Sequence, residues 1–533
     1  MKRIGQLDDV MVCCKSERQS PHAASIHILD DLSLLNVFNL YRPAIFDRAD
    51  DDDVRIFGGR VWDRERWWYK LTHVCRRWRH LILGSPSFLG LCLVCTWGTP
   101  VADMLAHSPP LPIVIEYIDT NRDITAEEEE SIIVALQQRD RVRRIRLRMA
   151  APSLQKLVLA IDGEYPVLEY LILGPPVEDT CTALMLPETL QAPHLCHLLL
   201  RGFVLPMGSR LLTNATDLVM LALTVGPPST YFRPNSLLHW LSFMPQLETL
   251  LIVFLFPVPN HEVERQLMHS PIMAAHVTLL NLRWCVFRGV SAYIEAVVSQ
   301  MTAPRLEKLG IQFFKQLTFS VPPLLQFMDN TENLTRFDSV KFKFSVDKVH
   351  VEVYPSPPDE VKKYAFSIYV DSWHLDWQVF SMAQIFNSAS QIFSAVEHLT
   401  LEYEEHSWSS REHDEVDRTE WRNLLRSFSK VKTLRVQDGL VKELSRCLRL
   451  DNEGPPLELL PELQELRYSG SGNSTGDAFT SFIDARQIAG RPVTLVRPNP
   501  RSVTLVPRSS RPDFSESSDV MKVSSETGVV LDT

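Results

Sequence analysis

One phrase of apolar positions recurs along this chain: an aliphatic residue, two others, a second aliphatic, one other, and a third. It occurs as VRRIRL from Val142, LQKLVL from Leu154, LEYLIL from Leu168, LCHLLL from Leu195 and LVMLAL from Leu218. It returns as LETLLI from Leu247, LEKLGI from Leu306, VEHLTL from Val396, VKTLRV from Val431 and LQELRY from Leu463. Weaker copies are VTLLNL from Val277, LTRFDS from Leu334 and the alternating AFSIYV from Ala365. Alternation at the end of the phrase puts one face of a short strand into a core. Between the strands, proline-rich or helical segments return the chain to its start, as in SAYIEAVVSQM from Ser291 and TEWRNLLRSF from Thr419. A unit this small cannot bury its apolar face alone, so neighbours must stack.

From Leu168 onward the copies stand about 23 to 35 residues apart, the interval of leucine-rich repeats. The Asn that usually follows the strand in regular leucine-rich repeats is missing. The expected fold is therefore α/β, with an irregular leucine-rich-repeat-like solenoid (a horseshoe) over residues 141–490 and its strands on the concave side. The outward strand positions include Tyr170, Ile172, His197, Leu199, Ala222, Leu251 and Val253. Several are apolar where a concave face meets water. Either they mark a partner site or the segments between repeats cover them.

Two amphipathic stretches precede the repeats. In WWYKLTHVCRRWRHLILGSPSF, residues Trp67, Leu71, Val74, Trp78, Leu81 and Ile82 share one helical stripe. Gly84 and Pro86 are expected to stop that helix. Upstream, ILDDLSLLNVFNLY has Leu29, Leu32, Leu35 and Phe38 apolar, and also Leu34, Val37 and Tyr41. A helix apolar on more than one side must be covered on more than one side.

The string L-x-x-V-C-R-R-W-R resembles the second half of an F-box. With WDRERWWYKL before it, the segment is similar to basidiomycete-type fungal F-box domain-containing proteins. The resemblance implies a helical module at 26–90 that docks a Skp-family adaptor, and through it a cullin–RING ubiquitin ligase. The docking residues would be Leu29, Leu32, Leu35, Phe38, Leu71, Val74 and Trp78. The repeat region would bind a protein substrate, and the chemistry would be done by other subunits. The family usually begins its first helix with Leu-Pro; here Leu29 is followed by Asp30, and an acidic insert occupies about 47–59. The other reading is a repeat scaffold with no ubiquitin role, its first helices capping the solenoid. Residues 91–140 read as a connector, and 1–25 and 491–533 as disordered ends.

Composition narrows this picture. The chain has 533 residues, too many for one ordinary domain, and its 45% hydrophobic content suits a folded protein. The net charge of −10 argues against a general nucleic-acid binder. Nine scattered cysteines suit a reducing compartment, and the N-terminus lacks a signal-peptide core. The apolar run Leu250 to Phe256 is too short to span a bilayer. A cytoplasmic or nuclear protein is expected, with neither membrane nor nucleic acid as partner.

Candidate chemistry is sparse. Cys92 and Cys95 form C-x-x-C, but no second pair stands at metal spacing; they read as core cysteines. His406, His413 and Asp414 fall in a charged segment that reads as a solvated loop. No P-loop or H-E-x-x-H occurs, and SGSGNSTG from Ser469 reads as a flexible loop. No cofactor, metal or catalytic residue is expected, and no enzyme, though a hydrolase with a dispersed site stays open. The one basic cluster is RDRVRRIRLRM. Ile145 and Leu147 should point inward there, with Arg144, Arg146 and Arg148 on the other face. That face is either a solvated edge or a contact for an acidic or phosphorylated ligand. The candidate substrate-facing residues are thus Arg144, Arg146, Arg148, Tyr170, Ile172, His197, Leu199 and Leu251.

Overall fold

The computed structural model describes residues 29–42, 67–118, 123–176, 182–257, 276–316, 319, 321–334, 337–355, 364–403, 418–448, 459–469 and 478–496. In chain order its strands are β1 (Leu93–Cys95), β2 (Ile113–Ile118), β3 (Val142–Arg148), β4 (Tyr170–Gly174), β5 (Leu184–Met185), β6 (His197–Arg201) and β7 (Phe203–Val204). They continue as β8 (Met220–Val225), β9 (Thr249–Phe254), β10 (Val277–Thr278), β11 (Trp284–Gly289), β12 (Met301–Thr302) and β13 (Lys308–Phe313). The last are β14 (Ser339–Phe344), β15 (Lys348–Tyr354), β16 (Phe366–Asp371), β17 (His398–Tyr403), β18 (Thr433–Gln437), β19 (Glu465–Ser469) and β20 (Thr494–Val496). Sixteen of them form one mostly parallel sheet in the order β1, β2, β3, β4, β6, β8, β9, β11, β13, β16, β15, β14, β17, β18, β19, β20. The short pairs β5 with β7 and β10 with β12 lie outside it.

The repeated phrase explains the sheet. Leu195, Leu198 and Leu200 are all buried, as are Leu218, Leu221 and Leu223, and Leu306, Leu309 and Ile311. The N–H of the first phrase residue bonds the carbonyl three residues back, as Leu195 does to Ala192 at 3.1 Å and Leu306 to Ala303 at 3.2 Å. That tight turn launches each strand. The carbonyl of the second phrase residue then accepts two N–H groups of the following strand. Glu169 O takes Cys196 and His197, Cys196 O takes Val219 and Met220, and Val219 O takes Glu248 and Thr249. Burial of one row thus depends on the row beside it.

The copy from Leu154 departs from this. It lies in the helix Ala151–Leu159, where Leu154, Leu157 and Val158 are buried while Leu159 is 62% exposed. At 3.6 residues per turn, positions one and four share a side and position six does not, so the same spacing serves a helix once its last residue can face water. The copies from Val277 and Leu334 are also misplaced. Val277–Thr278 is a two-residue strand outside the main sheet, and Glu332–Leu334 is a turn of 3₁₀ helix. The strands at those places are β11, with Leu282, Cys285 and Phe287 inward, and β14, with Phe337, Val340 and Phe342 inward. Cysteine and phenylalanine fill the leucine slots there.

Residues 91–140, expected to be a connector, supply β1 and β2 of the main sheet, and Thr494–Val496, expected to belong to a disordered tail, pairs as its last strand. Both corrections have one cause: a sheet edge with unpaired N–H and C=O groups recruits whatever short apolar stretch lies nearest in the chain.

Parallel pairing is broken once. Strands β14, β15 and β16 form an antiparallel meander inside the sheet. Only Ser345–Asp347 joins β14 to β15, with Ser345 N bonded to Lys348 O at 2.9 Å, which is too short for a parallel crossover. The meander runs backward: β14 pairs with β17, and β16 returns to pair with β13. Phe342 lies at this junction, buried, 5.1 Å from Phe386 and 5.9 Å from Phe428 between ring centroids.

Buried residues of the helices, including Ser291–Val298, Leu375–Ser388 and Arg418–Arg426, share one apolar cluster with the inward strand residues. The opposite sheet face has a separate small cluster. Among the described residues, no helix is long and apolar enough to cross a membrane. Replacing Phe342 by Ala should remove about 3–5 kcal/mol of stability. Urea unfolding of the full chain followed by circular dichroism checks this, and a loss below about 1 kcal/mol would show that the meander is not tied to the helix layer here.

Candidate functional site

Two surfaces carry the expected functional residues. The first is built by the helices Asp31–Tyr41, Trp67–Thr72, Arg76–Gly84 and Pro86–Leu89. Asp30 caps the first of these, accepting from Ser33 N at 2.8 Å and Ser33 Oγ at 2.9 Å. The backbone hydrogen bond from Ser33 holds its carboxyl below the usual carboxylate range. A side-chain cap thus starts this helix where a proline would preset φ.

The continuous stripe expected from Trp67 to Ile82 is two helices. Thr72 Oγ1 bonds Tyr69 O at 2.8 Å, and Arg79 Nε takes the Thr72 carbonyl at 3.0 Å. Cys75 then caps the next helix, its Sγ accepting from Trp78 N at 3.5 Å. Local side-chain bonds here compete with the helical ladder. Pro86, expected only as a stop, opens the short helix Pro86–Leu89.

The expected docking residues divide by burial. Phe38 is 1% exposed, its ring 4.8 Å from that of Trp78 in an edge-on pair. It is an interior support and offers no contact, which corrects its assignment as a docking residue. Leu35, Leu71 and Trp78 are half-buried against the same core. Leu29, Leu32 and Val74 are exposed, at 65% for Leu32 and 57% for Val74. Leu32 and Leu40 follow one helical face, opposite Leu34 and Phe38, and Leu40 is 85% exposed, while Leu29 precedes the extended cap residue Asp30. Leu40, Val37 and Tyr41 are exposed apolar residues that the docking set omitted. Arg77 ties the helices together, donating to Leu29 O at 2.6 Å and to Asp31 Oδ1 at 2.7 Å.

The second surface is the sheet face away from the helices. Strand pairing aligns Arg144, Tyr170, His197, Met220, Thr249, Trp284 and Lys308 in one half-buried row. Arg144 lies over the Tyr170 ring at 4.3 Å, and Tyr170 stacks on His197 at 4.3 Å and 9°. At the other end Lys308 Nζ sits 5.1 Å from the Trp284 centroid and 4.3 Å from that of Tyr364.

The next row holds Ile172, Leu199, Ala222 and Leu251. Leu199 and Leu251, expected to face a partner, are only 4% and 6% exposed. They flank Ala222 of the strand between them, forming a dry floor with Ile172, Met220 and Val286 at its margin. Their direction was legible from strand parity; their burial comes from flanking side chains on neighbouring strands. In the same row Arg146 pairs with buried Glu116 at 3.1 Å. The third row carries Arg148, Arg201 and Arg288, the last 3.5 Å from Asp371.

Other candidates are placed as follows. Cys92 packs with Val94 and Val114, and Cys95 in the main core, both as free thiols. Asp338, Glu397 and His398 approach within 4.8 Å of one another, but Lys432 Nζ already holds Glu397 at 2.6 Å. The segment with His406, His413 and Asp414, the acidic insert, and the loop in which Gly472, Ser474 and Gly476 stand at G-x-S-x-G spacing lie outside the described residues.

No protein-family model matches the chain, and no curated protein matches it. Among solved structures it is similar to the leucine-rich repeat-containing protein LegL7 from Legionella pneumophila, at 10% identity and a TM-score of 0.23, over 76% of this chain and 99% of that one. A similarity of that size carries no argument; the repeat character rests on the strand pairing.

Beyond the basic rows, the open face of the meander holds a titratable cluster. His350 stacks on Tyr369 at 3.7 Å, its Nδ1 3.7 Å from Glu352 Oε1. Burial pushes His350 down to about 4, with Glu352 opposing and Lys343, Lys348 and Lys341 adding to the fall. Burial works to raise Glu352, but hydrogen bonds from Lys343 and Tyr354, each at 2.8 Å, hold it below the usual range.

His350 is therefore neutral in the folded chain above pH about 4, whereas an unfolded histidine takes its proton near 6.5. Between those values the unfolded state binds more protons, so stability falls as pH falls. Glu295, pushed up to about 7 by burial, acts with the opposite sign, so only a comparison isolates His350. Between pH 7 and pH 4 the parent should lose on the order of 3 kcal/mol more than His350→Gln. Urea titrations at both pH values measure this; equal losses would remove His350 as a buried neutral group.

Proposed function

We propose that this chain is a substrate-recognition adaptor of a Skp–cullin–F-box ubiquitin ligase. Its first helices dock the Skp-family adaptor, and its repeat sheet holds a protein substrate. The observation that carries this reading is a helix packed on one side and apolar on the other. Leu34 and Phe38 are fully committed inward, while Leu29, Leu32 and Leu40 face outward with Val74 of the following helices also exposed. Scattered single apolar residues need no explanation, but several on the outer face of a small helical module fit a partner's groove. The contribution of the chain is then proximity, holding a substrate near a charged enzyme at high effective concentration. It would operate in the cytoplasm or nucleus.

A second reading, a repeat scaffold whose first helices only cap the sheet, draws on a different observation. Leu34, Phe38, Trp67, Ile82 and Leu89 belong to the same buried cluster as Leu93 of β1. The helices therefore cover the first edge of the repeat core in either case, and the outward residues decide between the two readings.

Tagged full-length chain should co-purify with a Skp-family adaptor and cullin. The double substitution Leu32→Asp, Val74→Asp should reduce adaptor capture at least tenfold. Because both side chains are exposed, thermal unfolding should stay within a few degrees of the parent. Capture that survives the double substitution, or a parent chain that captures no adaptor, refutes the docking assignment and leaves the scaffold.

A further inference from the structure

We propose that the open sheet face from β3 to β13 binds an extended protein segment of about nine residues, acidic at both ends and apolar between. This rests on the reading that the repeat sheet holds a protein substrate, and it names the chemistry of that substrate.

Charge is the first argument. The chain as a whole carries −10. Yet this half of the open face gathers Arg144, Arg146, Arg148, Arg201, Arg288 and Lys308 in adjoining rows, with Arg146 paired to Glu116 of β2 and Arg288 3.5 Å from Asp371 of β16. A cationic strip on an acidic protein attracts anionic partners locally and repels them elsewhere. A long polyanion such as nucleic acid would have to cross the acidic remainder, whereas a short acidic segment would not. The other half of the face is close to balanced, with Lys341 paired to Glu402 and Lys343 to Glu352, both at 2.8 Å.

Geometry sets the length and pattern. The first row runs across seven strands, from Arg144 on β3 to Lys308 on β13. Six steps of about 4.8 Å make a strip of about 29 Å, which about nine extended residues would cover. Its cations stand at the two ends, each against aromatic rings: Arg144 on Tyr170 and Lys308 on Trp284. Between them lie the flat Tyr170–His197 stack and the buried floor of Leu199, Ala222 and Leu251. Carboxylates would meet the ends, and apolar side chains the rings and the floor margin.

The test uses the full chain and the fluorescein-labelled peptide Glu-Glu-Pro-Leu-Val-Leu-Pro-Glu-Glu, read by fluorescence anisotropy. Comparators replace every Glu by Lys, or the five central residues by Ser, and a nine-nucleotide single-stranded DNA is the polyanion control. The acidic peptide should bind at least tenfold tighter than either altered peptide and than the DNA, and should weaken as salt rises. The double substitution Arg144→Gln, Lys308→Gln should weaken it at least tenfold, while Lys430→Gln, Lys442→Gln, exposed and off this face, should not. Equal binding of the Glu and Lys peptides by the parent chain, tighter binding of DNA, or indifference to Arg144→Gln, Lys308→Gln overturns the proposal. The peptide comparison on the parent chain stands even if a variant misfolds. Failed peptide binding with adaptor capture intact removes this inference alone. Intact peptide binding without adaptor capture removes the ligase reading alone.

Discussion

No strand of this protein can bury its apolar row by itself, and the whole architecture follows from that. Each row is dry because another row lies about 4.8 Å away on either side. The backbone enforces the spacing: the second carbonyl of each phrase grips two N–H groups of the next strand, as Glu169 does for Cys196 and His197. Stability is then a sum over neighbours, and the two ends are where it is weakest. At one end the helices from Asp31 to Leu89 share the core of β1; at the other, Thr494–Val496 closes the last described edge.

The same stacking creates two unlike faces. Strand parity sends phrase leucines to the helices and the intervening residues to the open side. On the open side, register turns single residues into rows. Arg144, Tyr170 and His197 are unremarkable apart, but pairing sets them side by side as a guanidinium, a phenol ring and an imidazole in stacked contact. The reversed meander separates a half rich in cations from a half in which Lys341 pairs with Glu402 and Lys343 with Glu352.

The first helices show how one element serves two surfaces. Leu34 and Phe38 anchor the helix Asp31–Tyr41 on Trp78, Asp30 caps it, and Arg77 ties its start to the helix Arg76–Gly84. Because the inner contacts already fix the helix backbone in place, its outer apolar residues are presented with less left to order on binding.

Much of the fold was legible because the rules that set it are local. Spacing within six residues told which side chains of the phrase turn inward, and nine of the ten strong copies are strands of the main sheet. It did not recognise β11 and β14, since cysteine and phenylalanine stood in leucine slots, and it misread Leu154, where two periodicities share their first four residues. The candidate surfaces were legible only in direction. Parity placed Leu199 and Leu251 on the open face, and the F-box resemblance grouped Phe38 with Leu32 as docking residues. Only neighbours in space could bury the leucines, enclose Phe38 against Trp78, break the helix after Thr72 and run the meander backward. The chain by itself determined a stack of strand units with a helical start. The tertiary structure decided which apolar groups remain at the surface, because exposure is a property of what lies beside a residue, and a linear pattern does not contain it.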